Sequence, residues 1–254
     1  MPTRNQRYGF NLVGLLIAIT LIAIAIALIL PMMGGARRTA RSMSNNTQVR
    51  GIHQSFVTFA QSNKVADQDG FFPGLDRHGA IVADGEATGF SGSGATPGSR
   101  MWMLLEGHFF TPDYILNPAD TRAIEVGLLT DSQHYASVKP ENYSYAVHFI
   151  TGTVNETTEW SETLNGNAIV LSDRAIGTNP SDISSVWTDP RSGDWRGGVT
   201  KNDNSSTFET KHIFADTQYG EGDDNPRDDL FADDHDADDA FLVHEDAVTA
   251  YSAD

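Results

Sequence analysis

Residues Phe10 to Met33 read FNLVGLLIAITLIAIAIALILPMM, and this stretch decides how the chain is organised. None of its 24 residues is Asp, Glu, Lys, Arg or His. As a helix it would rise about 36 Å, which is enough to cross a hydrocarbon core of about 30 Å. We therefore predict a transmembrane helix over residues 10–33. A secretory signal peptide fits less well, because its apolar region is about 7 to 15 residues long and ends at a small-residue cleavage site.

The junction before the apolar stretch reads RYGFNLVGLL, where a short basic leader ends at Gly9. This junction resembles the prepilin-type cleavage and methylation segment of type IV pilins and type II secretion pseudopilins. The resemblance implies that prepilin peptidase cuts between Gly9 and Phe10 and methylates Phe10. Pro31 also matches, because the family often has a proline near the outer end of this helix. A plain signal anchor is the alternative interpretation.

Gly14 is a departure from the family pattern. Relatives usually carry a glutamate here, and its carboxylate meets the N-terminal amine of a neighbouring subunit inside the filament. Glycine supplies neither a charge nor a side-chain hydrogen bond to such a contact in a medium of low dielectric constant. The resemblance therefore implies a minor subunit of the filament.

The resemblance also implies partners and a location. The partners are prepilin peptidase, other pilin or pseudopilin subunits, an inner-membrane assembly platform and membrane lipid. The location is the inner membrane, crossed once, with the head domain in the periplasm or on an extracellular filament. Charge alone leaves the orientation open, because two arginines precede the apolar stretch and three follow it, at Arg37, Arg38 and Arg41.

The sequence divides into a leader over residues 1–9, an N-terminal helix over 10–64 and a head domain over 65–254 with an acidic loop at 216–239. Beyond the membrane stretch, apolar residues recur at steps of three and four through Val49, Ile52, Phe56 and Phe59, which predicts that the helix continues. The segment NNTQVRGIHQSFVTFAQSNKVADQDGFFPG resembles a subfamily of prepilin-type proteins that is frequent in planctomycetes.

The head domain is predicted to contain an antiparallel sheet, so the fold class is α+β, with the long helix packed on the sheet as in pilins. Short apolar runs bounded by Asn, Asp or Gly are typical of strands, and no helical crossover lies between them. These runs are Tyr143–Ile150, Ala168–Ser172, Ala240–His244 and Ala247–Tyr251, the last two forming a hairpin. The sequence further predicts a loop over Asp84–Arg100, a short helix over Met101–Phe110, and a turn with a brief strand in TPDYILNPAD.

The charge and composition of the chain argue against several classes of function. The net charge of -17 repels phosphate backbones, so nucleic acid is not an expected partner. Cysteine is absent, which removes disulfides, thiolate nucleophiles and cysteine zinc sites. The GFSGSG segment lacks the flanking strand and helix that a catalytic serine turn needs. We therefore expect no enzymatic activity.

Asp234, Asp236 and Asp238 stand in the D-x-D-x-D order that opens many calcium loops. No glycine follows Asp238, where such a loop requires one, so the sequence favours a solvated acidic loop, and adaptation to a saline habitat also accounts for the cluster. If calcium or another ligand binds here, the alternative function is a single-pass anchored acidic domain that does not polymerise. No other cofactor is expected.

Two further groups are predicted to be structural. Large aromatics in small sheet domains are usually core residues, and this applies to Trp102, Trp160, Trp187 and Trp195. Asp173 and Arg174 follow the apolar run AIVL, which predicts an ion pair between them at the end of a strand.

Overall fold

In a computed structural model, the chain is described over residues 11–64, 70–82, 96–121, 138–150, 160–162, 166–177, 182–214, 228–232 and 241–244. It divides into two compact units, Met1–Arg41 and Ser42–Asp254. The fold class is α+β, as predicted: a long N-terminal helix is followed by short helices and a small antiparallel sheet.

The first helix, α1, spans Leu12–Asn63. Asn11 caps it, because its side-chain oxygen accepts a hydrogen bond from the backbone N–H of Val13 at 3.1 Å and its carbonyl accepts one from Leu15 at 3.0 Å. The α-helical assignment continues through residues 31–35, which include one proline and two glycines. The predicted helix therefore exists, with bounds within two residues of the expected ones.

The second helix, α2, spans Pro97–Glu106, and a 3₁₀ helix spans Pro112–Ile115. Each begins at a Thr-Pro pair, in which proline's fixed φ suits the first helical position. In α2 the hydroxyl of Thr96 also accepts a hydrogen bond from Ser99 at 3.4 Å. Two predictions are therefore wrong: the loop does not extend to residue 100, and TPDYILNPAD contains a 3₁₀ turn with no strand.

The main sheet has five strands: β1 (Tyr145–His148), β2 (Ile169–Asp173), β3 (Gly197–Lys201), β4 (Ser206–Glu209) and β7 (Leu242–Val243). Their order in the sheet is β4-β3-β2-β1-β7, and every neighbouring pair is antiparallel. A second, two-stranded sheet joins β5 (Ile213–Phe214) to β6 (Asp228–Asp229). The antiparallel prediction is confirmed. The strand in Ala240–His244 pairs with β1, and its expected hairpin partner at 247–251 lies outside the described residues.

The core of the Ser42–Asp254 unit has two apolar clusters. The larger cluster joins one face of α1, which presents Val49, Ile52 and Phe56, to residues of β1 and β2 and to α2. The smaller cluster is built from residues of β1, β2, β3 and β7 together with Trp195 and Phe231. All four tryptophans are at most 3% exposed, so the prediction that they are core residues is confirmed.

Candidate functional site

Most of the residues that the sequence predicts to be cleaved, methylated or bound to a metal ion lie outside the described residues. Gly9, Phe10, Asp234, Asp236 and Asp238 lie outside the described residues, and Pro31 is described only as part of the backbone of α1. Gly14 is described within α1. A Cβ added there would meet only side-chain atoms of Asn11, at 3.8 Å and beyond, so this position has room for a larger side chain.

Among the residues that the structure describes, most of the exposed large apolar side chains lie in the first part of α1. Leu12–Leu30 has a mean hydropathy of 3.1, and none of it is buried against the rest of the protein, so the helix is long and apolar enough to cross a membrane. The hydroxyl of Thr20 donates to the carbonyls of Leu16 and Ile17, at 3.1 and 2.8 Å. Its hydrogen-bonding need is therefore met within the helix, as an environment without water requires.

Three exposed arginines, Arg37, Arg38 and Arg41, follow the apolar surface on the same helix. Residues 31–36 carry no charge, so these are the first charged side chains after Leu30. We call this group the basic cluster.

The carboxylate of Asp173, at the end of β2, is a buried polar group of the Ser42–Asp254 unit that accepts four hydrogen bonds. Its Oδ2 atom accepts hydrogen bonds from Asn45 Nδ2 at 2.6 Å, from the backbone N–H of Gly198 at 2.6 Å and from Trp187 Nε1 at 3.1 Å. Its Oδ1 atom accepts one from Asn117 Nδ2 at 2.5 Å. The carboxylate thus joins α1, the segment after the 3₁₀ helix, the segment before β3, and β3 itself.

Burial raises the pKa of the Asp173 carboxyl to about 7, and its four hydrogen bonds offset part of that effect by favouring the charged form. The orientation of the Asn117 amide is fixed because its Oδ1 accepts a hydrogen bond from the Ala119 N–H at 2.8 Å. Its Nδ2 therefore faces Asp173 as a donor. The groups around the carboxylate are hydrogen-bond donors, and no described nucleophile is among them. This arrangement holds four chain segments together.

The predicted pair of Asp173 with Arg174 is wrong. Arg174 Nη2 instead contacts Oδ2 of Asp120 at 2.7 Å, and both side chains are largely buried. Adjacent residues of a strand point to opposite sides, so the two side chains separate into different networks. One sequence signal could have located the Asp173 network: Asn45 occupies the apolar stripe of α1, four positions before Val49.

Two buried histidines lie near the larger cluster. His53 contacts Asn204 Oδ1 at 3.1 Å and Asn202 Oδ1 at 3.3 Å, and burial lowers its pKa. Burial, and then the charge of Arg100, lower the pKa of His148 to about 3. Arg100 is itself buried, donates to the backbone carbonyl of His148 at 2.5 Å and lies 4.9 Å from the ring centre of Trp160. Burial therefore favours the neutral form of both rings, although the contacts of His53 with Asn202 and Asn204 oppose that effect.

Within the described residues, no group of three or more His, Cys, Asp or Glu side chains is placed to hold a metal ion. Comparisons with protein-family models, curated proteins and solved structures gave no match to this chain. Function must therefore be argued from the chain's own residues.

Proposed function

We propose that this protein is a structural, minor subunit of a type IV pilus-like or type II secretion pseudopilus filament. Prepilin peptidase removes residues 1–9 and methylates Phe10. The subunit waits in the inner membrane and an assembly platform then moves it into the filament, beside other pilin or pseudopilin subunits. Its head domain is periplasmic or displayed on the filament, and it has no catalytic role.

The main support for this proposal is the junction between the basic leader and the apolar helix. Gly9 closes a short basic leader, Phe10 follows, and α1 begins two residues later at Leu12. Cleavage there would leave the new amine at the start of an apolar helix. A helix that is apolar on all sides is stable in lipid, and it can also pack against identical helices once it leaves the lipid.

The pattern of burial along α1 supports the same proposal. The segment Leu12–Leu30 has no buried residue, whereas Val49, Ile52 and Phe56 of the same helix are fully buried in the head-domain core. One helix therefore serves as an apolar stem and as a core element of the head domain. A simple anchor needs only the first of these, since a flexible linker would connect it to a domain equally well.

Intact-mass analysis of protein extracted from membranes tests the proposal. Expression with prepilin peptidase should give a chain that has lost residues 1–9 and gained one methyl group. Expression without the peptidase, or of a Gly9→Val variant with it, should keep the leader. A chain that keeps Met1 in the presence of active peptidase would overturn the proposal.

The second candidate is a single-pass anchored acidic domain that binds calcium or another ligand and does not polymerise. The order of Asp234, Asp236 and Asp238 favours it, because carboxylate oxygens are preferred calcium ligands. Calorimetric titration of the full chain with calcium chloride should give saturable heat if this candidate is right. The variant D234N/D236N/D238N should lose that heat. The absence of heat in the unaltered protein would remove the candidate.

A further inference from the structure

We propose that the basic cluster is a binding surface for the phosphates of anionic lipids where α1 leaves the membrane. This inference rests on the membrane part of the proposed function, and it requires neither cleavage nor assembly. It also holds for either orientation of the helix, because lipid phosphates lie at both surfaces of a bilayer.

The basic cluster lies close to the membrane surface along the helix axis. Arg37 lies seven residues beyond Leu30, or about 10 Å at 1.5 Å per residue, and four residues beyond Met33, the end of the predicted span, or about 6 Å. The headgroup layer extends about 5 to 8 Å beyond the hydrocarbon core. Since Cα–Cβ bonds in a helix tilt toward its N-terminus, the side chains of Arg37 and Arg38 lean back toward that layer. Long basic side chains near the ends of membrane helices extend to the interface in this way.

The three arginines also lie on one side of the helix. Successive residues of an α-helix are separated by about 100°, so Arg37, Arg38 and Arg41 fall within an arc of about 100°. All three are exposed. Guanidinium groups bind phosphate through two parallel hydrogen bonds, so three on one side of a helix suit a layer of phosphates better than a single ion.

The two units of the chain differ in the sign of their charge. Residues 1–41 contain five arginines and no acidic residue, so every one of the 34 carboxylates lies in Ser42–Asp254. Within residues 1–41 the positive charge therefore lies at the two ends of the apolar span, with no carboxylate nearby in the sequence to neutralise it. Juxtamembrane basic groups are attracted to anionic membrane surfaces within about one Debye length. The competing partner is the acidic surface of a second copy, which would also attract arginines.

The test uses the full chain reconstituted in vesicles of phosphatidylcholine with a minority of phosphatidylglycerol. Electron paramagnetic resonance of spin-labelled lipids gives the preference of the protein for phosphatidylglycerol over phosphatidylcholine. We expect a clear preference in low salt, with a contribution of roughly fivefold at most from each arginine. In the variant R37Q/R38Q/R41Q, the ratio of phosphatidylglycerol binding to phosphatidylcholine binding should fall close to one. High salt should reduce it in the unaltered protein.

The matched control is R50Q/R77Q/R191Q, which removes the same charge from three exposed arginines of the Ser42–Asp254 unit. It should retain the preference. Equal preference in the unaltered protein and in R37Q/R38Q/R41Q would overturn the inference. The inference would also be overturned if R37Q/R38Q/R41Q kept the lipid preference but lost chemical cross-linking between copies, because the cluster would then bind a second copy.

The same experiment separates this inference from the proposed function. If the full chain fails to insert into vesicles, the membrane part of the proposed function is wrong. If it inserts but shows no lipid preference, only the inference about the basic cluster is wrong.

Discussion

Asn45 of α1 donates a hydrogen bond to the carboxylate of Asp173 in β2 over 2.6 Å, although 128 positions separate them in the sequence. The orientation of the Asn45 amide is set on its other side, where its Oδ1 accepts a hydrogen bond from the hydroxyl of Tyr145 at 3.0 Å. Apolar packing alone would let a helix slide or rotate on a sheet. This polar contact specifies one register between helix and sheet, because a shifted helix would leave buried groups without partners.

We predict that Asp173→Ala destabilises the Ser42–Asp254 unit by about 3 kcal/mol or more, because it leaves four buried donors without their acceptor. Equilibrium denaturation of the full chain in detergent, followed by tryptophan fluorescence, measures this change. The matched control is Asp182→Ala, which removes an exposed carboxylate. Similar stability of the two variants would show that the carboxylate is not a structural centre.

We also predict that stability falls as pH rises from about 4 to 7 through the contribution of Asp173. Its pKa in the folded protein is about 7, above the ordinary value of 3.8, so the folded state holds the proton more tightly. That stabilisation is complete below pH 3.8 and is lost as pH rises through 7, with a limit on the order of 4 kcal/mol. Asp173→Asn should flatten this slope, measured as the difference from the unaltered protein. An unchanged slope would contradict the assignment.

The parts of the fold that the sequence predicts are those whose cause is local. The apolar run and the steps of three and four residues give α1, and short Val-, Ile- and Tyr-rich runs locate β1, β2 and β7. Strand β3 begins with Gly197 and Gly198, which carry no apolar side chain for a pattern to detect. Glycine suits position 198 because a Cβ there would lie 2.9 Å from Asn45 Nδ2. The close approach of helix and sheet favours glycine, and that approach is a tertiary property.

The candidate site also has parts that can be read from the sequence and parts that depend on tertiary contacts. The apolar stem Leu12–Leu30 and the three arginines after it can be read directly from the sequence, and both are exposed on α1. The partners of Asp173 come from four separate segments, so no spacing rule could identify them. The wrong pairing of Asp173 with Arg174 arose because adjacency along the chain was taken as proximity in space, although strand geometry separates such neighbours.

His148 should remain neutral at pH values well below the ordinary pKa of histidine. Because burial and Arg100 lower its pKa to about 3, the unfolded state takes up a proton first as pH falls below 6.5. This residue therefore contributes stability above pH 6.5 that is lost as pH falls toward 3, the opposite slope to that of Asp173. Nitrogen chemical shifts of the His148 ring should not change down to about pH 4. A shift near pH 6.5 would show that the ring is accessible to protons.

Gly51 lies in α1 where the helix meets the ring of Tyr114. A Cβ at this position would overlap the Tyr114 hydroxyl and ring edge, so Gly51→Ala should destabilise the head domain by about 1 to 2 kcal/mol through displacement of that ring. Gly35→Ala is the control on the same helix, since nothing lies within 4 Å of its added Cβ. It should change the stability of the Ser42–Asp254 unit by less than about 0.5 kcal/mol. Thermal unfolding of both variants makes the comparison, and equal Tm values would show that the ring yields without cost.

The last prediction concerns Gly14 and follows from the proposed function. Gly14→Glu should increase incorporation along the filament shaft, because the new carboxylate can meet the N-terminal amine of a neighbouring subunit in a medium of low dielectric constant. The added Cβ meets only Asn11, so the change should not disturb the helix. Gly14→Gln is the control, because it has nearly the same shape and no charge. Immunogold labelling of purified filaments measures the incorporation. If glutamate and glutamine increase it equally, the gain comes from helix propensity or packing, and the missing charge does not explain a minor role.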